Sequence, residues 1–302
     1  MPYVRKIVYT QENLKAFKFL MKEFDCDMSE AQKWIDRGRV YLNNEILTSK
    51  TSNLNGKVEV IFFNPISSGL KPIMECEDFA IFDKPSGIMI HPKMLDDEFT
   101  LNDDIKSLFG KDANAVHRID KGTSGLVLVS KNKNSERELK ALFADRKVKK
   151  SYNALVFGKL TKEIKIDVNL KLDLKSSKIR IKSHANSSGK SAITDIKPLE
   201  YLSLCDMSIV EASPKTGRTH QIRAHLFHVK HPIVGDMIYS VSEENADKFL
   251  SFGMSDDEKI RLSGAKRLML HANSLSFKYK DKEYNIRSKI DFKELVDEFC
   301  NC

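Results

Sequence analysis

Apolar side chains recur at Leu14, Phe17, Leu20 and Met21, a spacing that places them on one face of a helix over residues 12–24. A second helix is predicted to begin at Ser29, a candidate N-cap for residues 30–37, and to stop at Gly38, which suits a left-handed C-terminal position. Residues 39–42 then read as a strand, Asn43-Asn44 as a hairpin turn, 45–47 as its return arm and 58–63 as a further strand. Residues 64–73 mix Pro, Ser and Gly without periodicity and read as a linker. Beyond them strands are predicted at 79–82, 126–129 and 152–157. A near-strict alternation follows at Ile164, Ile166, Val168, Leu170, Leu172 and Leu174, and helices are expected at 135–143 and 219–229. There is no internal repeat and no low-complexity segment. The pattern predicts two domains, 1–63 and 74–302, the second an α+β domain built on antiparallel sheet.

Composition narrows this picture. With 302 residues, 41% of them hydrophobic and 30% charged, the chain has enough apolar material for a packed core and lacks the signature of disorder. A formal net charge of +8 favours a polyanionic partner, although many basic proteins bind no nucleic acid. Five scattered cysteines, Cys26, Cys76, Cys205, Cys300 and Cys302, form no Cys-x-x-Cys pair, which supports neither a disulfide framework nor a zinc ribbon and fits a reducing compartment. The last two read as an exposed tail. Residues 1–6 lack the apolar core of a signal peptide, and no run approaches the ~18 apolar residues of a membrane span. A cytoplasmic monomer without a membrane partner is therefore expected.

Three polar clusters carry candidate chemistry. In Val116-His117-Arg118-Ile119-Asp120-Lys121-Gly122-Thr123-Ser124-Gly125, a glycine-punctuated loop feeds the apolar run 126–129, so Asp120 sits at the edge of a rigid strand. It reads either as a reactive carboxylate or as a loop-capping aspartate. Lys150-Ser151-Tyr152 opens a strand, where a tyrosine more often packs than reacts. The third cluster is Ser213-Pro214-Lys215-Thr216-Gly217-Arg218-Thr219-His220-Gln221-Ile222-Arg223-Ala224-His225. Four histidines, His220, His225, His228 and His231, crowd this region, and His225 and His228 share a helix face. No acidic ligand lies in register and no His-Glu-x-x-His occurs, so no metal is expected and these side chains read as braces for core and loops.

The order His-Arg-Ile-Asp-x-x-Thr-Ser-Gly around Asp120 resembles the signature of the RluA-type pseudouridine synthases, which isomerise uridine in RNA. Residues 77–87, 189–194 and 268–272 resemble further motifs of that family, so the likeness spans about residues 75 to 280. It implies that Asp120 carries the chemistry, as nucleophile at C1′ or as base at C2′, without a cofactor. It further implies that Arg118 fills the gap left by an extruded base, with His117 in support, and that Tyr152 stacks on the uracil beside Lys150. Arg218 is implied to form an ion pair with Asp120, and Thr123, Gln221 and Arg223 to line the substrate site.

The stretch from about 12 to 62 resembles an S4 domain, an α/β RNA-binding module, with Lys33, Arg37 and Arg39 as phosphate contacts. The family's opening Arg-Leu-Asp-x-Phe-Leu stands here as Lys15-Ala16-Phe17-Lys18-Phe19-Leu20. An S4 module on this catalytic type is similar to the RluC/RluD-like enzymes, which implies 23S ribosomal RNA as first substrate and tRNA as second. Arg137, Lys140, Arg146, Lys147, Lys149 and Lys150 are candidates for lining an RNA groove, though singly each reads as a solvated surface charge. Two rivals stay open: a non-catalytic RNA-binding or ribosome-assembly protein, and a metal-dependent hydrolase using the histidines.

Overall fold

The computed structural model describes residues 3–92, 98–172, 179 and 181–300, with side chains as far as 297. Two compact units are present, Met1–Gly69 with His91–Leu108, and Leu70–Ile90 with Phe109–Cys302. No helix among the described residues is long and apolar enough to cross a membrane.

The first unit runs β1 (Tyr3–Lys15), α1 (Ala16–Phe24), α2 (Met28–Asp36), β2 (Val40–Leu42), β3 (Glu45–Ile46) and β4 (Asn53–Phe63), and it also holds most of α3 (Leu101–Phe109). Its strands form an antiparallel sheet in the order β1-β4-β2-β3. The helix expected from residue 12 begins only at Ala16. Leu14 and Lys15 pair with Leu54 and Asn53 after a register shift at which Asn13 turns to a φ of 53°, so ladder bonds claim the backbone that the apolar period had assigned to a helix. The cap of α2 is Asp27, whose carboxylate accepts from Glu30 N at 2.8 Å, and the predicted cap Ser29 lies inside the first turn. Gly38 and the Asn43-Asn44 turn take the positive φ values their sequences suggest, 65°, 51° and 73°. Phe19, Leu20, Trp34, Ile35, Val58 and Val60 make the core. On α3, Asp104 accepts from Ser67 Oγ (2.9 Å), Ser68 N (2.7 Å) and Ser68 Oγ (2.8 Å), which ties down the start of the segment read as a linker.

The second unit contains β5 (Met74–Glu75), β6 (Phe79–Lys84), β7 (Asn114–Ala115), β8 (Ser124–Ser130), α4 (Lys133–Ala144), β9 (Lys149–Phe157), β10 (Ile164–Asp167), β11 (Leu170–Leu172), β12 (Ser183–Ala185), β13 (Ile193–Leu202) and β14 (Met207–Pro214). It continues through α5 (Gln221–His228), α6 (Glu243–Phe252), α7 (Asp256–Ser263), β15 (Leu270–Tyr279), β16 (Lys282–Arg287) and α8 (Phe292–Cys300). A ten-stranded sheet runs β10-β13-β14-β9-β15-β8-β6-β5, with β16 on β15 and β7 on β8. The architecture is the expected α+β on antiparallel sheet, with one parallel pair where His271 meets Ser124 and Ala272 meets Gly125. At that seam a Cβ on Gly125 would lie 2.3 Å from Ala272 O, so only glycine lets the two backbones approach.

The alternation expected as one strand from residue 164 breaks at Val168 and Asn169. Its first half pairs with β13, and its second forms a separate two-stranded sheet with β12; Leu174 lies outside the described residues. All seven residues of β8 are buried, which gives the loop before it a rigid base. Ile222 and Leu226 seat α5 on the sheet core, and Leu139 seats α4 against Leu126 and Leu128.

Candidate active site

Asp120 stands on the loop between β7 and β8, its side chain 30% exposed. That loop is stapled in place from several sides. Lys84, fully buried at the end of β6, donates from Nζ to Pro85 O (2.9 Å), Ile88 O (2.7 Å) and Lys121 O (3.3 Å). Burial pushes this amine down to about 7, against the pull of the Asp120 charge. Gly87 N donates to Lys121 O at 2.9 Å and Ser86 Oγ to Gly122 O at 2.6 Å, so the turn after β6 grips the residues next to the carboxylate. His117 accepts from Leu128 N through Nε2 at 3.0 Å and stacks on Phe143 with centroids 4.6 Å apart. Burial drives its pKa down to about 3, and the neutral ring is what a backbone N–H needs as an acceptor. At the start of β8, Ser124 Oγ lies 2.9 Å from Nδ1 of the fully buried His271.

The cation beside Asp120 is Arg223, with Nη1 3.1 Å from Oδ2. Its Nε and Nη2 donate to Asp236 Oδ2 (2.7 Å) and Oδ1 (2.8 Å) in a bidentate fork, and Asp236 Oδ1 also accepts from Ile238 N (3.0 Å) and Tyr239 N (3.1 Å). Burial works against the guanidinium charge, but Asp236 and then Asp120 outweigh it and hold its pKa above the ordinary value. For Asp236 burial is likewise overcome, chiefly by Arg223, and its pKa falls. A buried fork thus fixes the arginine, and the remaining nitrogen fixes Asp120.

The expected Arg218 to Asp120 ion pair is not formed. Arg218 lies in the loop before α5 and turns its Nε to Ser191 O at 3.0 Å, whereas Arg223 sits on the helix and is aimed by Asp236. Gln221, expected to touch substrate, spends its amide on the protein instead. It accepts from Thr216 Oγ1 (2.6 Å) and Arg218 N (3.0 Å) and donates to Ile193 O (2.9 Å) and Thr194 Oγ1 (2.9 Å). It braces the loop that carries Arg218.

A cavity opens over Asp120. Arg118, Thr123, Lys150, Tyr152, Arg218 and Arg223 line it, with Pro214, Ile222 and Leu270 as apolar wall. Arg118 is exposed and Thr123 buried. Burial and the charge of Asp120 raise the Tyr152 phenol, which stays protonated, and burial lowers the pKa of Lys150. Aromatic face, protonated phenol, ionisable carboxylate and surrounding cations make a site suited to a planar, hydrogen-bonding ring on an anionic backbone.

Other residues enter that the motifs left without a role. His220 stands in the left-handed region at φ 53°, its side chain 9% exposed and Nε2 3.7 Å from Asp120 Oδ2. Burial and then the Arg223 charge push it down to about 4. Asp236 was signalled only as an acid within the apolar stretch Ile233-Val234-Gly235-Asp236-Met237-Ile238, and Lys84 only by its place in Asp83-Lys84-Pro85. The other histidines diverge: His225 lies 2.9 Å from Thr194 Oγ1 and 3.0 Å from Val168 O, and His231 lies 2.9 Å from Phe157 O. No group of three metal-ligating side chains occurs among the described residues.

In the first unit Lys33 and Arg37 are exposed, and Arg39 lies over the Tyr3 ring at 4.8 Å. Of the basic residues suggested for a groove, Lys140 pairs with Glu136 (2.6 Å) and Lys147 with Asp145 (3.2 Å).

The family model described as RNA pseudouridylate synthase matches residues 78–228. A Helicobacter pylori (strain J99) protein named as an uncharacterized RNA pseudouridine synthase is 39% identical over 289 residues, covering 95% of this chain and 96% of its own. The tRNA pseudouridine synthase C of Vibrio vulnificus is 29% identical, covering 76% and 95%. The ribosomal large subunit pseudouridine synthase D of Xylella fastidiosa is 29% identical, covering 82% and 76%. Among solved structures, human RNA pseudouridylate synthase domain containing 1 superposes with a TM-score of 0.58 at 24% identity, over 80% of this chain and 98% of that one.

Proposed function

Because this chain belongs to the RNA pseudouridylate synthase family and isomerises uridine to pseudouridine in RNA, we propose that Asp120 is the group that acts on the target ribose. The observation that carries this reading is a partly exposed carboxylate lining a cavity, held by an arginine that a second, buried carboxylate locks in place. The reaction breaks the N1–C1′ bond, turns the base and joins C5 to C1′; the C5 proton is lost and N1 regains one. Asp120 serves either by attack at C1′ or by taking the C2′ proton, and Arg223 holds the carboxylate in place for either. Tyr152 offers the flipped uracil an aromatic face, and Arg118 enters the space the base vacates, offsetting an extrusion cost of a few kcal/mol.

The substrate proposed is large-subunit ribosomal RNA. The reading is supported by the Xylella fastidiosa relative's name and by a first unit read as S4-like, with domain limits 1–63 and 74–302 and Lys33, Arg37 and Arg39 toward phosphates. The Vibrio vulnificus relative's name favours tRNA as the second reading. A cytoplasmic monomer working on RNA alone is proposed. The test is a chemical map of pseudouridines in total rRNA and tRNA from cells lacking the protein, rescued with wild type or Asp120→Ala. Sites lost from rRNA and restored by wild type alone support the proposal; losses confined to tRNA move the substrate, and restoration by Asp120→Ala overturns the role of that carboxylate.

A further inference from the structure

His220 is placed at a cost. A non-glycine residue in the left-handed region is disfavoured, yet the fold accepts this at the residue just before α5, where the imidazole faces Asp120. Its ring meets Tyr239 edge-on at 5.9 Å, and its Nδ1 is sealed from solvent without a hydrogen-bond partner. The ring is neutral at pH 7, because burial and Arg223 hold its pKa at about 4. A neutral imidazole has one N–H. With a carboxylate oxygen 3.7 Å from Nε2, the tautomer protonated at Nε2 is favoured, since a lone pair there would face the negative charge. The separation is too long for a direct hydrogen bond. Arg223, the other donor at this carboxylate, is already committed to Asp236 and Asp120.

An N–H donor and a carboxylate acceptor separated by slightly more than a bond length fit a group that both accepts and donates, which is a hydroxyl. Resting on the reading that Asp120 acts at the target ribose, both chemistries bring C1′ or C2′ to the carboxylate, so the 2′-oxygen arrives within two bonds of the reacting carbon. We propose that His220 donates its Nε2–H to the 2′-oxygen of the target nucleotide while the 2′-hydroxyl donates to Asp120, so that this pair recognises the target sugar as ribose. His220 is then a substrate-contacting specificity residue. Gln221 beside it in sequence is a brace, spent wholly on the protein.

The test is a binding cycle. Asp120 is half of the proposed pair and is kept, so turnover is avoided by placing the product at the target position: affinities of a stem-loop that the wild-type protein modifies, carrying pseudouridine or 2′-deoxypseudouridine there, are measured by fluorescence anisotropy. His220 is intact or changed to Asn or Gly. Both replacements accept a positive φ, so the backbone keeps its turn, and neither reaches the 2′-oxygen. With His220 present the deoxy substitution is expected to weaken binding about tenfold, the scale of one hydrogen bond. With His220→Asn or His220→Gly that penalty is expected to shrink to less than about twofold, though overall affinity falls. An equal deoxy penalty in all three proteins overturns the role of His220 while leaving the uridine reading intact. Failure of wild-type protein to modify any uridine overturns that reading itself, and this inference with it.

Discussion

Two sets of charged groups, one in each unit, are held in opposite ways. In the first, ion pairs lie at the surface: Lys22 and Glu12 meet at 2.7 Å with side chains 55% and 49% exposed, and Lys50 meets Asp36 at 2.8 Å. Such exposed pairs contribute little and are screened by salt, so their cations are held loosely. In the second, Arg223, Asp236, Lys84 and His271 are buried and tied into networks. Buried charge is costly to assemble and costlier to break, so these groups fix geometry to within tenths of an ångström. The first set is loosely held, the second rigid enough to aim a reacting group.

Substitutions can press on this contrast. Asp120→Asn is expected to lower single-turnover pseudouridine formation by at least about 10³-fold with little change in thermal midpoint, because it alters the reacting group rather than the packing. Arg223→Met leaves Asp236 charged and buried, and should cost about 3–5 kcal/mol in urea unfolding as well as activity. Adding Asp236→Leu should return most of that stability and none of the activity. A double variant that regained turnover would show that the fork does not aim Asp120.

His117→Ala removes the acceptor of Leu128 N and should cost about 1–3 kcal/mol. Its pH signature is a further check. The unfolded histidine takes up a proton near 6.5 and the folded one only near 3, so between those values the unfolded state binds more protons and stability falls as pH falls. The variant should lose part of that acid slope in denaturation curves taken from pH 6.5 down to 4. The smallest expected stability effect lies in the first unit: Lys33→Ala with Arg37→Ala should shift stability by less than about 0.5 kcal/mol. The same pair should flatten the log–log salt dependence of RNA binding by roughly 0.7–0.9 per residue removed.

Much of this was legible in the chain. Buried runs such as 126–129 and the asparagine turn at 43–44 declare themselves, because the physics that fixes them is local. Helix ends were less legible. Asp27 and Ser29 are both good caps, and the choice between them depends on how the chain enters α2, while residues 12–15 went to a strand whose partner lies about forty positions away. Arginine partners were least legible. Arg218 and Arg223 share one motif and one charge, and only the buried Asp236 and the orientation of α5 decide which meets Asp120. His220 hid for a related reason: its approach to Asp120 depends on a backbone angle, which a residue pattern does not display.

The grip on Asp120 comes from far along the chain. Arg223 is 103 residues downstream, and His271 reaches Ser124 across 147. Contacts of such separation form late, and a ribosome adding about 5–20 residues per second needs roughly 5 to 20 seconds to travel from the carboxylate to its arginine. Throughout that interval, and until β15 slots into the middle of the sheet, the growing chain carries its surface cations but no aimed carboxylate. Synthesis therefore completes the centre last: the carboxylate waits for an arginine and a strand that are still to be made.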